Sequence, residues 1–374
     1  MELSELREQI DKIDKALVDL YEERMDVCRN VAQFKISTGK KVLDKERELA
    51  KIEAVKELAH SDFNRLGVAE LFEQIMAMSR KLQYRLLAEN GKVEAFPFVK
   101  VDAVKTEQVK VVFQGAKGSY SEAAMVAYFG KNITSYNVET FKAAMQELET
   151  GNADFAVLPI ENSTAGSVSE VNDLLMEYDV CIAGEQIIPV NHCLLATHDS
   201  SLTDIKKVYA HPQALMQSAH FLTDMGYEQI SLKNNAFAAK KVAEDNDKTQ
   251  AAIASEYAAE TYGLKILKKG VNDVSTNATR FLILSREKVY KKDADRISIC
   301  IELEHKSGAL YQALSHFIYN GLNMTRIESR PIDNKDWEYR FFIDFEGNLD
   351  DDAVKNALFG LKEEAGKMKI LGNY

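Results

Sequence analysis

The first 96 residues contain no proline, and this feature constrains the fold of the chain more than any other. Nothing in such a stretch forces a helix to end. Apolar residues recur in alternating steps of three and four, at Leu3, Leu6, Ile10, Ile13, Leu17, Leu20, Val27, Val31 and Phe34. A seam with this period is typical of helices that pack against other helices. The sequence therefore predicts an N-terminal helix of more than 30 residues, about 50 Å long.

Polar side chains occupy positions in the helical seams where apolar residues are expected. Arg24 fills one missing position, and Lys35 lies about 20° away from it around the helix. Arg7 points about 100° away from Arg24, toward a different neighbour such as a second subunit. In a later predicted helix, Ser79 interrupts the seam and Gln83 follows one turn beyond it.

A short segment between these helices adds further charges. Asp44 is placed like a helix N-cap, with Arg47 and Glu48 in the first turn and Glu48 leaning toward the core. Buried cations require anions, and Glu48 is the obvious internal candidate. The remaining positive charge predicts a small polyanionic ligand. The alternative is that each polar residue only sets the register of the seam or snorkels to solvent.

The overall composition excludes several classes of protein. The 374 residues carry a net charge of −11, which disfavours a general binder of nucleic acids or anionic membranes. The N-terminus lacks the features of a signal peptide, and no apolar run approaches the roughly 20 residues of a membrane span. The scattered cysteines disfavour a disulfide framework and a structural zinc site. We therefore expect a cytoplasmic protein without metal or other cofactors.

From Val109 onward, short apolar runs alternate with helical patterns, which predicts an α/β region. One strand leads into the glycine-containing loop 114–121 at a helix N-terminus, a generic anion site. Another ends in the polar segment 161–167, which belongs at the carboxyl edge of a sheet where α/β proteins bind ligands. Residues 277–280 precede a further strand. For each segment, an ordinary turn, helix cap or surface charge is the alternative.

The final part of the chain, from near Asp293, has a pattern of its own. Strand-like and helix-like segments follow one another in the order βαββαβ. This order predicts a small ferredoxin-like α+β module.

The N-terminal motifs, taken together, resemble the all-helical chorismate mutase domain; they are Leu6–Ile10, Glu23–Arg24, Lys35, Asp44–Glu48 and Ser79–Gln83. The resemblance implies an intertwined dimer in which three helices of each subunit build sites that contain one arginine from the partner. It also implies a role for each matching residue. Carboxylates would be held by Arg7 of the partner, Arg24, Arg47 and Ser79, the ether oxygen would face Lys35 and Gln83, and the ring hydroxyl would meet Glu48 and Asp44.

The middle motifs resemble the prephenate dehydratase domain; they are Gly115–Ser121, Pro159–Ser163 and Thr279–Phe281. The resemblance implies a two-lobed α/β cleft, akin to type II periplasmic binding proteins, with two chain crossings between the lobes. Thr279 would assist departure of the ring hydroxyl, while Arg280, Ser119 and amides near Gly118 would anchor prephenate. The implied site is completed by Glu161, Asn162 and Gln217, with Gln213 as a further candidate.

The C-terminal motifs resemble the ACT domains that are fused to prephenate dehydratases; they are Gly308–Leu310 and Glu328–Pro331. The implied effector is phenylalanine, bound between paired ACT domains. Its implied contacts are Gly308, Ala309, Leu310, Asn323, Glu328, Ser329 and Arg330. Protection of a strand edge against aggregation is the alternative interpretation of the charged, proline-containing strand.

The resemblances together predict a bifunctional chorismate mutase–prephenate dehydratase that phenylalanine inhibits and that forms an even-numbered homo-oligomer. The predicted domains are a helical domain at 1–90, a linker at 91–108, a dehydratase domain at 109–286 and an ACT domain at 295–374. A dehydratase with helices used only for dimerisation and a non-catalytic amino-acid-binding protein are the alternatives. A prephenate dehydrogenase is disfavoured because the dinucleotide-binding fingerprint is missing.

Overall fold

The computed structural model of the protein describes residues 2–92, 95–332, 335 and 337–374. Residues 93 and 94 of the predicted linker lie outside the described residues. The chain forms two compact units, one of Met1–Phe96 with Ile301–Met368 and the other of Pro97–Cys300 with Lys369–Tyr374. The predicted domain boundaries remain a prediction.

The described elements alternate between helices and strands after a purely helical start. The helices are α1 (Leu3–Thr38), α2 (Lys45–Lys56), α3 (Asp62–Glu89), α4 (Tyr120–Phe129), α5 (Phe141–Glu149), α6 (Ser169–Glu177), α7 (Pro212–Met216), α8 (Ala219–Met225), α9 (Asn235–Asp245), α10 (Glu256–Tyr262), α11 (Ala309–Tyr319) and α12 (Asp352–Glu364). The strands are β1 (Val99–Val101), β2 (Lys110–Gln114), β3 (Thr134–Val138), β4 (Phe155–Asn162), β5 (Gly166–Ser167), β6 (Cys181–Pro189), β7 (Cys193–Ala196), β8 (Lys207–Ala210), β9 (Glu228–Ser231), β10 (Gln250–Ala254), β11 (Lys265–Lys269), β12 (Ala278–Ser285), β13 (Val289–Lys291), β14 (Arg296–Glu302), β15 (Met324–Pro331), β16 (Tyr339–Glu346) and β17 (Lys367–Asn373).

Helix α1 has 36 residues, as the proline-free sequence predicts. It ends where Gly39 adopts a left-handed conformation with φ 67°, which glycine reaches without steric cost. Asp44 caps α2 as expected, because its carboxylate accepts a hydrogen bond of 3.1 Å from the amide of Arg47. Ser61 caps α3 in the same way. Local capping chemistry thus sets the end of α1 and the starts of α2 and α3.

Within one chain, the apolar seam of α1 does not pack as expected. Leu3, Ile13, Leu17 and Leu20 keep between 53% and 64% of their surface exposed. The buried residues of α1 are instead Met25 and Ala32. A single copy of the bundle therefore leaves a long apolar stripe without a partner, and such a stripe marks an interaction surface.

The C-terminal module, residues 295–374, has the predicted order β14-α11-β15-β16-α12-β17. Its strands are ordered β15-β16-β14-β17, which is the strand arrangement of a ferredoxin-like fold. Helices α11 and α12 and strands β15 and β16 belong to the first unit, whereas β14 and β17 contribute residues to both units.

The second unit contains two α/β lobes. The first lobe is built on the sheet order β6-β12-β4-β2-β3, in which β2 runs parallel to β3 and β4 while β12 runs antiparallel to both of its neighbours. The second lobe is built on β11-β7-β10-β8-β9. The predicted linker contributes β1, which pairs in parallel with β13.

The chain passes between the lobes twice, after β6 and after β11, as the resemblance implies. Hydrogen bonds join the two crossing segments to each other. The amide of His192 donates to Oδ1 of Asn272 at 2.7 Å, and the amide of Val190 donates to the carbonyl of Asn277 at 2.8 Å. Because buried backbone groups require partners, this pairing holds the crossings in one arrangement.

The described residues include no helix that is long and apolar enough to span a bilayer. Among the same residues, no group of three or more histidine, cysteine, aspartate or glutamate side chains is arranged to hold a metal ion.

Candidate functional site

The first candidate site lies among α1, α2 and α3. Arg24 donates a hydrogen bond of 2.6 Å from Nη1 to Oγ of Ser79, which is 55 positions later in the chain. Nε2 of Gln83 donates to the carbonyl of Ser79 at 3.2 Å. Ser79 and Gln83 are buried, and Arg24 is half-buried. The fold therefore brings together three of the polar seam residues that the sequence singled out.

Lys35 lies in the same region and is half-buried. Its Nζ donates to the carbonyl of Val42 at 2.6 Å. Burial lowers the pKa of Lys35, and the opposite charge of Asp44 counteracts part of that effect. A cation held at a cost in solvation is suited to bind an anion.

Other predicted residues of this site are not enclosed by one chain. Arg7, Asp44 and Arg47 are exposed. Glu48 is half-buried and reaches inward, where it contacts Arg80 on α3. The site formed by one chain thus has some of its predicted cations in place and others still facing solvent.

Sequence reasoning missed the importance of Arg80 and Lys81, which are 6% and 4% exposed. Nε of Arg80 donates to Oε1 of Glu364 at 2.7 Å, and Nζ of Lys81 donates to Oγ of Ser315 at 2.7 Å. Their partners lie 284 and 234 positions later in the chain. No local pattern could have identified these contacts.

The second candidate site is the cleft of the second unit. An open cavity of about 510 Å³ lies between residues of both lobes. Its walls include Gly115, Ser119 and Tyr120 from the first lobe and His211 and Asn234 from the second. Ser119 caps α4 by accepting a hydrogen bond from the amide of Glu122, so the predicted anchor residue lines the cavity at a helix N-terminus.

Thr279 and Asn162 meet beside the first crossing segment. Strands β4 and β12 pair so that these two residues are direct partners. Nδ2 of Asn162 donates to Oγ1 of Thr279 and to Oδ1 of Asn277, both at 2.8 Å. Oδ1 of Asn162 accepts from Oγ1 of Thr164 at 2.8 Å. The Asn162 amide therefore orients the Thr279 hydroxyl and the loop that follows β4.

Gln217 connects this group to a buried histidine. Its Nε2 donates to Oγ1 of Thr164 at 2.9 Å, and its Oε1 lies 3.1 Å from Nε2 of His192. Nδ1 of His192 lies 3.2 Å from the Tyr120 hydroxyl. Because an amide oxygen can only accept, Nε2 of His192 carries the hydrogen and Nδ1 is the acceptor. Burial lowers the pKa of His192, which keeps the ring neutral despite the opposing effect of the Gln217 hydrogen bond.

This hydrogen-bonded series joins both lobes through residues that the sequence analysis did not select. Thr164, His192 and Tyr120 all belong to it, and Asn277 borders it. The signal for Tyr120 and Thr164 was their place in the motif segments. His192 had no such signal, because it lies in a crossing segment whose partners come from distant parts of the chain.

Arg280 does not join Thr279 in this group. Adjacent residues of a strand project from opposite faces of a sheet, so Thr279 and Arg280 diverge. Nε of Arg280 donates to Oε2 of Glu185 at 2.5 Å, and Nη2 donates to the Tyr374 hydroxyl at 2.7 Å. Glu161 is the register partner of Arg280 on the neighbouring strand. The structure thus separates these two predicted site residues from the pair of Asn162 and Thr279.

The predicted role of amides near Gly118 also meets a competing contact. The amide of Gly118 donates to Oε2 of Glu122 at 2.6 Å. Gln213, the further candidate, is half-buried in α7, where its backbone amide donates a hydrogen bond to Nδ1 of His211 at 3.2 Å. The loop therefore presents the Ser119 side chain to the cavity, while the Gly118 amide is already bonded.

The predicted effector residues lie in two segments of the C-terminal module. Gly308 precedes α11 with φ 76°, and Ala309 and Leu310 form its first turn. The carbonyl of Asn323 accepts a hydrogen bond of 2.9 Å from the amide of Glu346. The remaining predicted contacts lie on β15; they are Glu328, Ser329 and Arg330.

Two family models match the chain in the regions just described. The model of chorismate mutase type II matches residues 6–84, and the model of prephenate dehydratase matches residues 111–289. The first match covers most of α1, all of α2 and most of α3. The second covers the two lobes that form the cleft.

Individual proteins are similar over all or most of the chain. A bifunctional chorismate mutase/prephenate dehydratase of Aquifex aeolicus is 32% identical over 376 residues, covering all of this chain and 98% of that protein. The crystal structure of a prephenate dehydratase of Arthrobacter aurescens in complex with L-Phe is 30% identical with a TM-score of 0.66, covering 71% of this chain and 89% of that one. A structure described as GqqA, a novel type of quorum quenching acylase, is 33% identical with a TM-score of 0.65, covering 70% and 96%.

Proposed function

Because the chain belongs to the family of bifunctional chorismate mutase/prephenate dehydratases, we propose that its two reactions occur in separate sites. The enzyme converts chorismate to prephenate and prephenate to phenylpyruvate, and the predicted bifunctional identity is confirmed. The mutase site is assigned to α1–α3 and the dehydratase site to the cleft of the second unit. The observation that supports this division most directly is that the two polar clusters belong to different compact units.

The mutase reaction is a unimolecular pericyclic shift and needs no nucleophile or proton relay. Guanidinium groups bind the two carboxylates of chorismate, since their paired donors match carboxylate geometry. Arg24 takes one of these roles with Ser79, whose hydroxyl it already contacts, and Arg47 takes another. Lys35 and Gln83 face the ether oxygen, where pre-placed donors stabilise the partial negative charge of the transition state. Glu48 and Asp44 engage the ring hydroxyl.

The mutase site requires a second copy of the chain. The stripe formed by Leu3, Ile13, Leu17 and Leu20 is exposed in one copy, and burying it against another α1 is favourable at roughly 25 cal/mol per Å². Arg7 extends from the same helix and enters the partner's site. This arrangement explains why one chain leaves Arg7 and Arg47 exposed.

In the dehydratase site, the C1 carboxylate leaves as carbon dioxide and the ring hydroxyl leaves as water. The electron pair of the broken C–C bond forms the new ring double bond, and the hydroxyl requires a proton as it departs. The Thr279 oxygen accepts from Asn162, so its own hydrogen is directed elsewhere and donates a hydrogen bond that stabilises the departing hydroxide, which solvent protonates to water. Gln217 holds the Thr164 loop against Asn162, and Ser119 anchors substrate at the N-terminus of α4. Glu161 and Arg280 lie on the opposite face of the sheet, where Arg280 is bonded to Glu185, and neither is proposed to contact substrate.

The C-terminal module is proposed as an ACT-type regulatory domain that binds phenylalanine. Its strand order and the left-handed Gly308 before α11 support this assignment, and a related dehydratase has been crystallised with L-Phe. The ligand's ammonium and carboxylate groups meet main-chain groups near Gly308, Leu310 and Asn323, with the β15 contacts completing a site between paired modules. Binding inhibits because it favours a less active arrangement.

The experiment that tests the proposed function follows both reactions in one mixture. Purified protein is incubated with chorismate, and prephenate and phenylpyruvate are measured over time with and without phenylalanine. We expect prephenate to appear first, phenylpyruvate to follow, and phenylalanine to slow the reaction. Accumulation of prephenate without phenylpyruvate would contradict the dehydratase assignment. Chorismate that remains unconverted would contradict the mutase assignment.

A further inference from the structure

Arg80 is a buried cation that the proposed chorismate mutase mechanism leaves without a role. It lies on α3 between two carboxylates that come from different parts of the chain. Nη1 donates to Oε2 of Glu48 at 2.5 Å, and Nε donates to Oε1 of Glu364 at 2.7 Å. The side chain of Arg80 is 8% exposed, compared with 24% for Glu48 and 14% for Glu364. One guanidinium therefore joins a proposed catalytic carboxylate to the C-terminal module.

The opposite charges of Arg80 and Glu364 stabilise each other. Burial works against the ionised form of Glu364, but His316 and Arg80 outweigh it and lower the pKa of the carboxyl to about 2. Nε2 of His316 lies 3.2 Å from Oε2 of Glu364, at ion-pair distance but not aligned for a hydrogen bond. Burial also opposes ionisation of Arg80, yet Glu364 and Glu48 together raise its pKa. The bridge formed by Arg80 and Glu364 is therefore an ion pair of opposite charges at neutral pH.

The packing around the bridge leaves little freedom to move. Tyr84 is fully buried and meets the Phe359 ring edge-on, with centroids 5.4 Å apart. Gly360 on α12 lies so close to the His316 ring that a Cβ atom there would collide with it. Side chains in such close contact are held in single rotamers. The end of α12, and with it Glu364, is thereby held against α3.

The side chain of Glu48 needs a contact that fixes its conformation, because Glu48 lines an open cavity. Glu48, Arg80 and Glu364 line a cavity of about 830 Å³ that is open to solvent. An unrestrained glutamate at such a wall would sample several rotamers. The Arg80 contact holds one Glu48 oxygen and leaves the other available to a ligand.

We infer that Arg80, held by Glu364 of the C-terminal module, is a positioning residue that orients Glu48 for the chorismate mutase reaction. This inference rests on the proposed placement of the mutase site at Glu48. Arg80 and Glu364 themselves act through Glu48 and are not assigned a contact with substrate. The mutase reaction of the N-terminal helices thus depends on a residue near the end of the chain.

The test is a double-mutant cycle on the full-length protein. Glu364→Gln removes the charge while keeping the shape, and we expect chorismate mutase kcat/KM to fall about tenfold, as for loss of a charge-assisted hydrogen bond. In the background of Glu48→Gln, the same substitution is expected to change kcat/KM less than about twofold, because residues that act through one another are not additive. Glu363→Gln is the matched control on the same turn of α12 and should leave mutase activity unchanged.

Each outcome of this experiment is decisive. An equal loss from Glu364→Gln in both backgrounds would show a merely structural role and overturn the inference, as would unchanged activity of Glu364→Gln. If Glu364→Gln does not fold, Arg80→Lys replaces it, because lysine keeps the charge but cannot bridge two carboxylates with a planar fork. Its effect should likewise disappear in the Glu48→Gln background. Full mutase activity of Glu48→Gln alone would instead refute the proposed site, and this result is distinguishable from the others.

Discussion

The amide of Asn162 donates a hydrogen bond of 2.8 Å to the hydroxyl of Thr279 on the neighbouring strand. The two residues are register partners of an antiparallel pair, so the backbone hydrogen bonds of the sheet fix their distance. Because the Thr279 oxygen accepts from Asn162, its own hydrogen is directed to another acceptor, which in the proposed site is the departing hydroxyl of prephenate. The relationship converts an ordinary hydroxyl into an oriented donor.

Replacing Thr279 with alanine is expected to lower the dehydratase kcat by about 10²–10³-fold, the usual effect of removing one pre-placed hydrogen-bond donor to developing negative charge. Thr279→Ser keeps the hydroxyl and should retain a substantial part of the activity. The measurement is phenylpyruvate formation from prephenate, with chorismate mutase turnover of the same variant as the control. Equal loss of both activities would contradict the assignment of separate sites.

Replacing Arg24 with alanine is expected to lower mutase kcat/KM by about 10–100-fold, because a charge-assisted contact with a substrate carboxylate is lost. Arg29→Ala is the matched control on the same helix, where Arg29 forms an exposed pair with Asp26. The assay follows the disappearance of chorismate. Full turnover by Arg24→Ala would support the alternative that the helices serve only dimerisation.

A charge placed in the exposed stripe of α1 should separate the subunits. We expect Leu17→Arg to convert the proposed dimer to a monomer and to abolish mutase activity, since in the proposed arrangement each site takes Arg7 from its partner. Lys15→Glu, on the same helix but outside the apolar seam, is the control and should keep the assembly. Light scattering coupled to size-exclusion chromatography measures the mass. A Leu17→Arg protein with unchanged mass and turnover would refute the proposed dimer.

The buried His192 makes stability depend on pH in a defined direction. Burial lowers its pKa below the unfolded value of about 6.5, so between these two values the unfolded chain binds more protons. The free energy of unfolding therefore decreases as pH falls below about 6.5. His192→Gln should weaken this dependence, whereas His198→Gln, at an exposed position, should not. Thermal midpoints measured from pH 7.5 to 5 provide the comparison, and parallel curves for wild type and His192→Gln would contradict it.

Phenylalanine binding should depend on Gly308. Its φ of 76° disfavours any side chain, and in the proposed effector site a Cβ would stand where phenylalanine approaches the backbone. We therefore expect Gly308→Ala to raise the Kd at least about tenfold, or about 1.4 kcal/mol. Gly226→Ala is the matched control, with φ 66° and, like Gly308, no described atom within 4 Å of a Cβ. Calorimetric titration with phenylalanine measures the Kd of both variants. Unchanged affinity of Gly308→Ala would place the effector elsewhere.

Removing all residues after about 290 is a less specific test of regulation, although we still expect it to relieve inhibition by phenylalanine. The truncation also deletes Tyr374 and Arg296. Tyr374 contacts Arg280, and Arg296 pairs with Glu185 at 2.9 Å. A loss of dehydratase activity in the truncated protein would therefore follow from these contacts. Inhibition that persists in an active truncated enzyme would contradict a C-terminal effector site.

Local sequence patterns were sufficient to predict the elements on which the sites are built. The proline-free start and its period determined α1, the Asp44 side chain determined the start of α2, and the βαββαβ order determined the C-terminal module. Such features depend on capping, chain stiffness and hydrophobic period, which involve residues only a few positions apart. The resemblance of the motifs to known families also predicted both enzymatic activities.

The tertiary structure decided how these elements use their side chains. Pairing of β4 with β12 placed Thr279 beside Asn162 and turned Arg280 toward Glu185, because alternation along a strand sends neighbouring residues to opposite faces. Similarly, the burial of Arg80 and its partner Glu364 depends on contacts between segments nearly 300 positions apart, which no local pattern encodes. Residue types and local hydrophobic periods can be read from the sequence. The partners of a buried charge are brought together only by the folded structure.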